Sequence, residues 1–381
     1  MRLALAALLL AGCSQPTAPL SDGERAAVLD TLRVPASRPF ALGFTPWPHD
    51  FTDAAEDAAY DALAAHGDLV LFHLDTGVPW PEALAGAPFP AHVQARLDRM
   101  AAEADRFETV FVSATMQAQD RETLARLWGD DEHQPLPAPW DARGFDHPDV
   151  AAAYTAYCLR LIDELRPDYF AYGIEVNGAL TVGHPSYGAF RALAADVYAA
   201  LKAAHPALPV FLTFQTGSFT ATWDEQQAVN RDLVALSDLV GMSTYPYWVP
   251  GLYEPAAADL SDLPADWFAQ MRALAPDKPF AVTETGYIAQ DFDVAGVSMR
   301  GRELWQAQYV DRLLWSAEAL GAEFVVWFVV RDYDAGWRRL VELGVADDAF
   351  LVWRDTGLLD GDGARRLGLD VWDRWRALPR R

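Results

Sequence analysis

Short, continuously apolar runs recur along this chain, separated by longer stretches whose apolar positions return every three or four residues. Eight such runs stand out: PFALGF from Pro39, DLVLFHL from Asp68, ETVFVSA from Glu108, DYFAYGI from Asp168, PVFLTF from Pro209, DLVGMS from Asp238, PFAVTE from Pro279 and EFVVWFVV from Glu323. A strand with one wet face alternates apolar and polar side chains, whereas a strand covered on both faces reads as an unbroken apolar run. The runs therefore predict parallel strands buried on both sides. Between them, segments such as YGAFRALAADVYAALKAAH from Tyr187 and RELWQAQYVDRLLWSAEALG from Arg302 predict amphipathic helices. Pro39, Pro167, Pro209 and Pro279 fall where a helix must stop before the next strand.

Eight strand–helix repeats without an internal linker predict a single α/β domain over residues 38–381, a closed (β/α)8 TIM barrel. The segments leaving strands after Met116, Tyr245, Gly286 and Arg331 are long, so extended loops are expected on the C-terminal face, where such barrels place their active sites. The competing fold, an open doubly wound sheet, lacks the glycine-rich phosphate loop it needs after the first strand.

The N-terminus carries a different signal. Arg2 precedes a short apolar stretch, and LLLAGC ends at Cys13 before a polar Ser/Gln/Pro/Thr segment. This resembles the lipobox of bacterial lipoproteins, which implies a signal peptide over 1–12, acylation of Cys13 and a lipid-anchored tether over 13–37. The apolar stretch is too short to span a bilayer, so contact with the membrane is expected through the N-terminal anchor only. The implied location is the bacterial cell envelope, at the outer membrane or cell surface.

Composition narrows the function. Half the 381 residues are apolar, enough for a large core, and the formal net charge is −24. Such an acidic surface repels phosphate backbones and argues against a nucleic-acid partner. Only two cysteines occur, Cys13 and Cys158, and Cys158 sits in a helical pattern as a small buried hydrophobe. Neither a disulfide framework nor a zinc-type Cys/His spacing is present, no metal or other cofactor is expected, and the chain is expected to be a monomer. A serine-hydrolase reading lacks its G-x-S-x-G elbow.

Two acidic residues remain conspicuous. Glu175 closes the fourth predicted strand and Glu284 the seventh, so both are expected at the same mouth of the barrel. Two facing carboxyls are what glycosidic cleavage requires, one to protonate the leaving oxygen and one to attack or to activate water. KPFAVTETGY from Lys278 resembles the nucleophile strand of the clan A retaining glycoside hydrolases. DLVGMSTYPYW from Asp238 is similar to the sixth strand of family 53 endo-β-1,4-galactanases, and GLLDGDGARRLGLDVW from Gly357 resembles the closing segment of many glycosidases.

The resemblance implies Glu284 as nucleophile, Glu175 as acid/base and Tyr245 as the residue that contacts the nucleophile. It also implies a β-linked polysaccharide or oligosaccharide substrate, with galactan favoured. Trp47, His73, Asp75, Asn177 and Gln215 are expected sugar contacts, and Trp327 an aromatic platform under a sugar ring. Trp80, Trp140 and Trp248 lie in predicted loops that would extend the cleft. One position departs from the clan pattern: Ile174 stands where the clan has the asparagine that binds the 2-hydroxyl. That departure keeps a second reading open, a non-catalytic carbohydrate-binding surface lipoprotein on the same barrel. A metal site built from His73, Asp75 and Glu284 is a lesser alternative.

Overall fold

The computed structural model describes residues 20–381, except 219, 254, 255 and 295. The residues that carry the lipobox reading, Cys13 included, lie outside the described residues. Eight parallel strands close into a barrel: β1 (Ala41–Phe44), β2 (Leu69–Leu74), β3 (Thr109–Ala114), β4 (Tyr169–Gly173), β5 (Val210–Gln215), β6 (Val240–Thr244), β7 (Phe280–Thr285) and, after a small hairpin, β10 (Ala322–Trp327). The hairpin, β8 (Phe292–Val294) with β9 (Val297–Met299), is antiparallel and lies in the loop after β7. All eight predicted runs are barrel strands; the hairpin, with only three residues per strand, is too short to show a periodicity.

Strand alternation divides the core into two layers. Ala41, Leu69, Leu71, Phe111, Ala171, Phe211, Leu239, Ala281, Phe324 and Val326 fill the barrel interior, with the Phe111 ring 5.5 Å from that of Phe211 and 5.0 Å from that of Phe324. The neighbouring residues on each strand point outward into the larger sheet–helix core, where Cys158 is fully buried. One consequence governs the site. Continuing the inward series by two residues gives His73 after Leu71, Ser113 after Phe111, Thr213 after Phe211, Ser243 after Gly241 and Thr283 after Ala281. The series therefore turns polar at the C-terminal mouth.

The segment predicted as tether contains structure. Residues Asp22–Thr31 form a helix with a Ser21/Glu24 capping box. It buries Val28, and Arg25 reaches Glu303 at 2.5 Å and the carbonyl of Arg365 at 2.6 Å. Among residues 13–37, then, 22–31 belong to the folded body. With a single buried apolar side chain, this helix shows little of the stripe by which a packed helix is recognised in sequence. No helix among the described residues is long and apolar enough to cross a membrane.

Candidate active site

The polar ends of the inward series form a pocket at the C-terminal mouth. Leu71 and Phe111 make its floor, His73, Ser113, Thr213, Ser243 and Thr283 its wall, and Ile174, Glu175 and Glu284 complete the lining. Glu175 lies just past β4, after a register shift between Ala171 and Gly173 against β5. Its φ is +48°, the left-handed region that non-glycine residues seldom occupy, and its amide donates to Thr213 Oγ1 at 2.8 Å. This local irregularity turns the carboxyl into the pocket. Ser243 Oγ donates to Glu175 Oε1 at 2.7 Å, and an Arg121 guanidinium nitrogen lies 3.5 Å from Oε2. Arg121 also pairs with Asp75 at 2.9 Å.

Glu284 has a different set of partners. Tyr245 OH donates to Glu284 Oε1 at 2.6 Å, and His73 Nδ1 lies 3.5 Å from Oε2 and 3.2 Å from Ser113 Oγ. Gly286 is required beside this pair, because a Cβ there would stand 2.5 Å from the Phe328 carbonyl oxygen and 3.1 Å from the Tyr245 ring. Burial pushes His73 below its ordinary value, so the imidazole is neutral at pH 7.

Burial also raises both carboxyls. Glu284 is pushed up to about 7 against the pull of Tyr245 and Arg121, and Glu175 is raised against Arg121 with a further push from Glu284. Two half-buried carboxyls with one nearby guanidinium thus share a site in which a proton is held near neutral pH.

The raised Glu284 has a consequence for stability that does not depend on catalysis. A carboxyl whose folded value lies above its ordinary 4.5 stabilises the fold fully below that value and loses the contribution as pH rises through about 7. At 1.36 kcal/mol per pH unit, the loss is roughly 3 kcal/mol. Glu284→Gln cannot ionise, so between pH 5 and 8 its unfolding free energy should gain on the wild type by roughly 2–3 kcal/mol. Urea denaturation at the two pH values measures this; a difference that stays the same at both would contradict it.

No family model matches the sequence, and no curated protein matches it. Solved structures do. A GH5_18 protein from Streptomyces cattleya in complex with Manβ1-4GlcNAc superposes with a TM-score of 0.63 at 18% identity, covering 90% of this chain and 83% of that one. The exo-β-1,4-mannosidase Op5Man5 from Opitutaceae bacterium strain TAV5 gives 0.59 at 16%, covering 90% and 60%. The GH53 catalytic domain of Ignisphaera aggregans gives 0.54 at 17%, covering 81% and 85%. The chain has the barrel fold of these glycoside hydrolases.

Within that fold, the expected site residues separate into three groups. Glu175, Glu284, His73, Tyr245 and, through Arg121, Asp75 converge on the pocket. Trp47 stands half-buried among the rings of Phe328, Tyr333 and Phe350, at centroid distances of 5.6, 5.8 and 6.3 Å.

The expected contacts Asn177, Gln215 and Trp327 do not line the pocket. Asn177 is fully buried; it donates to the Gln215 carbonyl and to Asn230 Oδ1 at 2.8 and 2.9 Å and accepts from the Gln215 amide at 2.7 Å. It ties the loop after β4 to β5. Trp327 is fully buried on the outer face of β10, its indole N–H donating to the Thr356 carbonyl at 2.9 Å and its ring against Tyr309 and Trp372. The expected platform is therefore a core residue, displaced by one position. The next residue, Phe328, is half-buried and faces Trp47. Trp80 and Trp140 are buried against each other, 5.4 Å between centroids, and do not extend a cleft.

His73, Asp75 and Glu284 do not converge as a ligand set among the described residues. The carboxylates there that come close enough to share a cation are Asp332, Asp334 and Asp355. Arg366 bonds Asp332 from both its NH groups, and Arg354 bonds Asp355 at 2.7 Å, so buried ion pairs account for that cluster. The sequence reading missed Arg121, Ser113, Thr213, Ser243 and Thr283. The last four follow from carrying each strand's alternation two residues past its apolar end. Arg121 comes from a loop and has no such signal.

Proposed function

We propose that this protein is a retaining glycoside hydrolase acting on a β-linked polysaccharide or oligosaccharide, with Glu175 as general acid/base and Glu284 as nucleophile. The observation that carries the reading is the pairing of Glu175 and Glu284 in one polar pocket at the C-terminal mouth of the barrel, each held by its own hydroxyl donor, Ser243 or Tyr245. In the first step Glu284 attacks the anomeric carbon while Glu175 protonates the departing oxygen. In the second, Glu175 takes a proton from water, which attacks the same carbon and releases Glu284. The likeness to structures described as a β-1,4-mannosidase, a GH53 domain and a Manβ1-4GlcNAc complex supports a β-linked substrate. The sixth-strand resemblance favours galactan, and Trp47 with Phe328 offers apolar faces for a sugar ring.

Incubating the purified protein with β-1,4-galactan, β-mannan, xylan, cellulose and Manβ1-4GlcNAc, and reading new reducing ends, tests the activity. Release from one or more of them is expected. Saturable binding without release would favour the non-catalytic reading, for which Ile174 speaks: it lines the pocket and offers no hydrogen bond to a hydroxyl. Attachment to the cell envelope through acylated Cys13 belongs to the same proposal, on the strength of LLLAGC. Cys13→Ala should then move the protein from the membrane fraction to the soluble fraction, and an unchanged distribution would refute the anchor.

A further inference from the structure

The loop after β3 is built to deliver one side chain. Gln117 and Leu124 bridge its stem, and the chain turns back so that the Arg121 amide donates to the Ala118 carbonyl at 2.8 Å. Arg121 has a φ of +57° and is, with Glu175, one of four non-glycine residues in the left-handed region among the described residues. Buried Gln117 donates from Nε2 to the Arg121 carbonyl at 2.6 Å, and Asp120 Oδ1 accepts from the amides of Glu122 and Thr123 at 2.8 and 2.9 Å. On the far side Gly178 leaves room, since a Cβ there would stand 2.9 Å from Arg121 Cγ. Backbone strain at a non-glycine residue persists only where its surroundings fix it. Here two strained residues, one on each of two loops, meet at a single ion pair.

We infer that Arg121, held by Asp75, is a positioning residue that fixes the orientation of the Glu175 carboxyl group, which gives up its proton in the first step and takes one back in the second, in a site where the side chain at 174 cannot help orient the substrate. With Ser243 on Oε1 and Arg121 beside Oε2, both carboxylate oxygens of Glu175 are engaged. The inference rests on the glycosidase reading for its meaning, but not for its test. The groups facing this guanidinium are Asp75, Glu175 and Glu284, with neutral His73 and Tyr245 beyond them; Asp120 lies next to it in its own loop, where Glu122 is paired with His184 at 2.9 Å. Arg121 lowers both glutamates, so removing its charge lets both hold their protons to higher pH. In a retaining mechanism the acidic limb of kcat/KM reports the nucleophile and the basic limb the acid, so both limbs should move upward together.

The test is a carboxyl-carbon NMR titration of the full chain carrying labelled glutamate, with the two signals assigned through Glu175→Gln and Glu284→Gln. In Arg121→Met the Glu175 midpoint should rise by roughly one unit or more, as expected for loss of an opposite charge within a few ångströms. Arg121→Lys keeps the charge and should move it far less, while losing the planar fork that fixes the carboxylate. Arg121→Gln serves if the methionine variant does not fold. An unmoved Glu175 midpoint in a folded, neutral variant would overturn the inference, whether or not the wild type cleaves any glycoside. A wild type that cleaves nothing would instead overturn the glycosidase reading and leave the titration result standing. On an active substrate, an upward shift of both limbs in Arg121→Met that is far smaller in Arg121→Lys, with kcat nevertheless reduced in Arg121→Lys by loss of the fork, separates positioning from mere support of the fold.

Discussion

Glu284→Ala should abolish turnover, with kcat falling on the order of 10⁴-fold or more on whatever glycoside the wild type cleaves. In the proposed mechanism the alanine removes the atom that bonds to the anomeric carbon, and without that bond there is no covalent intermediate to divide the reaction into two easier steps. Tyr245 and His73 remain, but neither is placed to replace the attack, since both face the missing carboxyl itself. Azide added to this variant should not restore turnover with retained configuration, because the face from which Glu284 attacks is the one opposite to a retained product. Steady-state kinetics and product stereochemistry check this.

Glu175→Ala should behave differently. On natural glycosides, whose leaving oxygen needs a proton, kcat should fall on the order of 10²–10⁴-fold, the range of a general acid–base contribution. On an activated aryl glycoside the first step should survive, since a phenolate with electron-withdrawing groups leaves without help. The glycosyl-enzyme on Glu284 should then accumulate, and azide, which needs no general base, should release it as a glycosyl azide of retained configuration. The variants lose different chemical acts, and the contrast between them separates the two roles. If both match the wild type on every active substrate, neither residue is catalytic.

The fold was legible in the sequence because parallel strands buried on both faces leave continuous apolar runs, and each run proved to be a barrel strand. The two glutamates were legible because they end such runs on the strands where the resembling family carries its carboxyls. Trp327 shows the limit of that reading. Strands have a period of two, so Phe324 and Val326 inside the barrel put Trp327 on the outside and hand the mouth to Phe328. The same alternation, applied to Phe111 and Phe211, would have found Ser113 and Thr213. Asn177 looked like a contact because it is polar and close to Glu175, yet its amide is consumed by Gln215 and Asn230 from β5 and the helix Trp223–Leu233. Arg121 was beyond reach because its place depends on a loop whose course is set by Gln117, Asp120 and Gly178 together. The helix inside the expected tether buries one side chain, Val28, and so leaves no apolar stripe by which to read it.

The claim at the centre is that Glu284 forms a covalent bond to the sugar. Incubating the protein with a 2-deoxy-2-fluoro-β-glycoside bearing a dinitrophenyl leaving group, in the sugar series identified by the polysaccharide panel, should trap that bond, because the fluorine slows both steps and the activated leaving group restores the rate of the first alone. Proteolysis and tandem mass spectrometry should then place one deoxyfluoroglycosyl group on Glu284. A label on any other residue, or hydrolysis of the natural substrate with inverted configuration and no adduct, would contradict it.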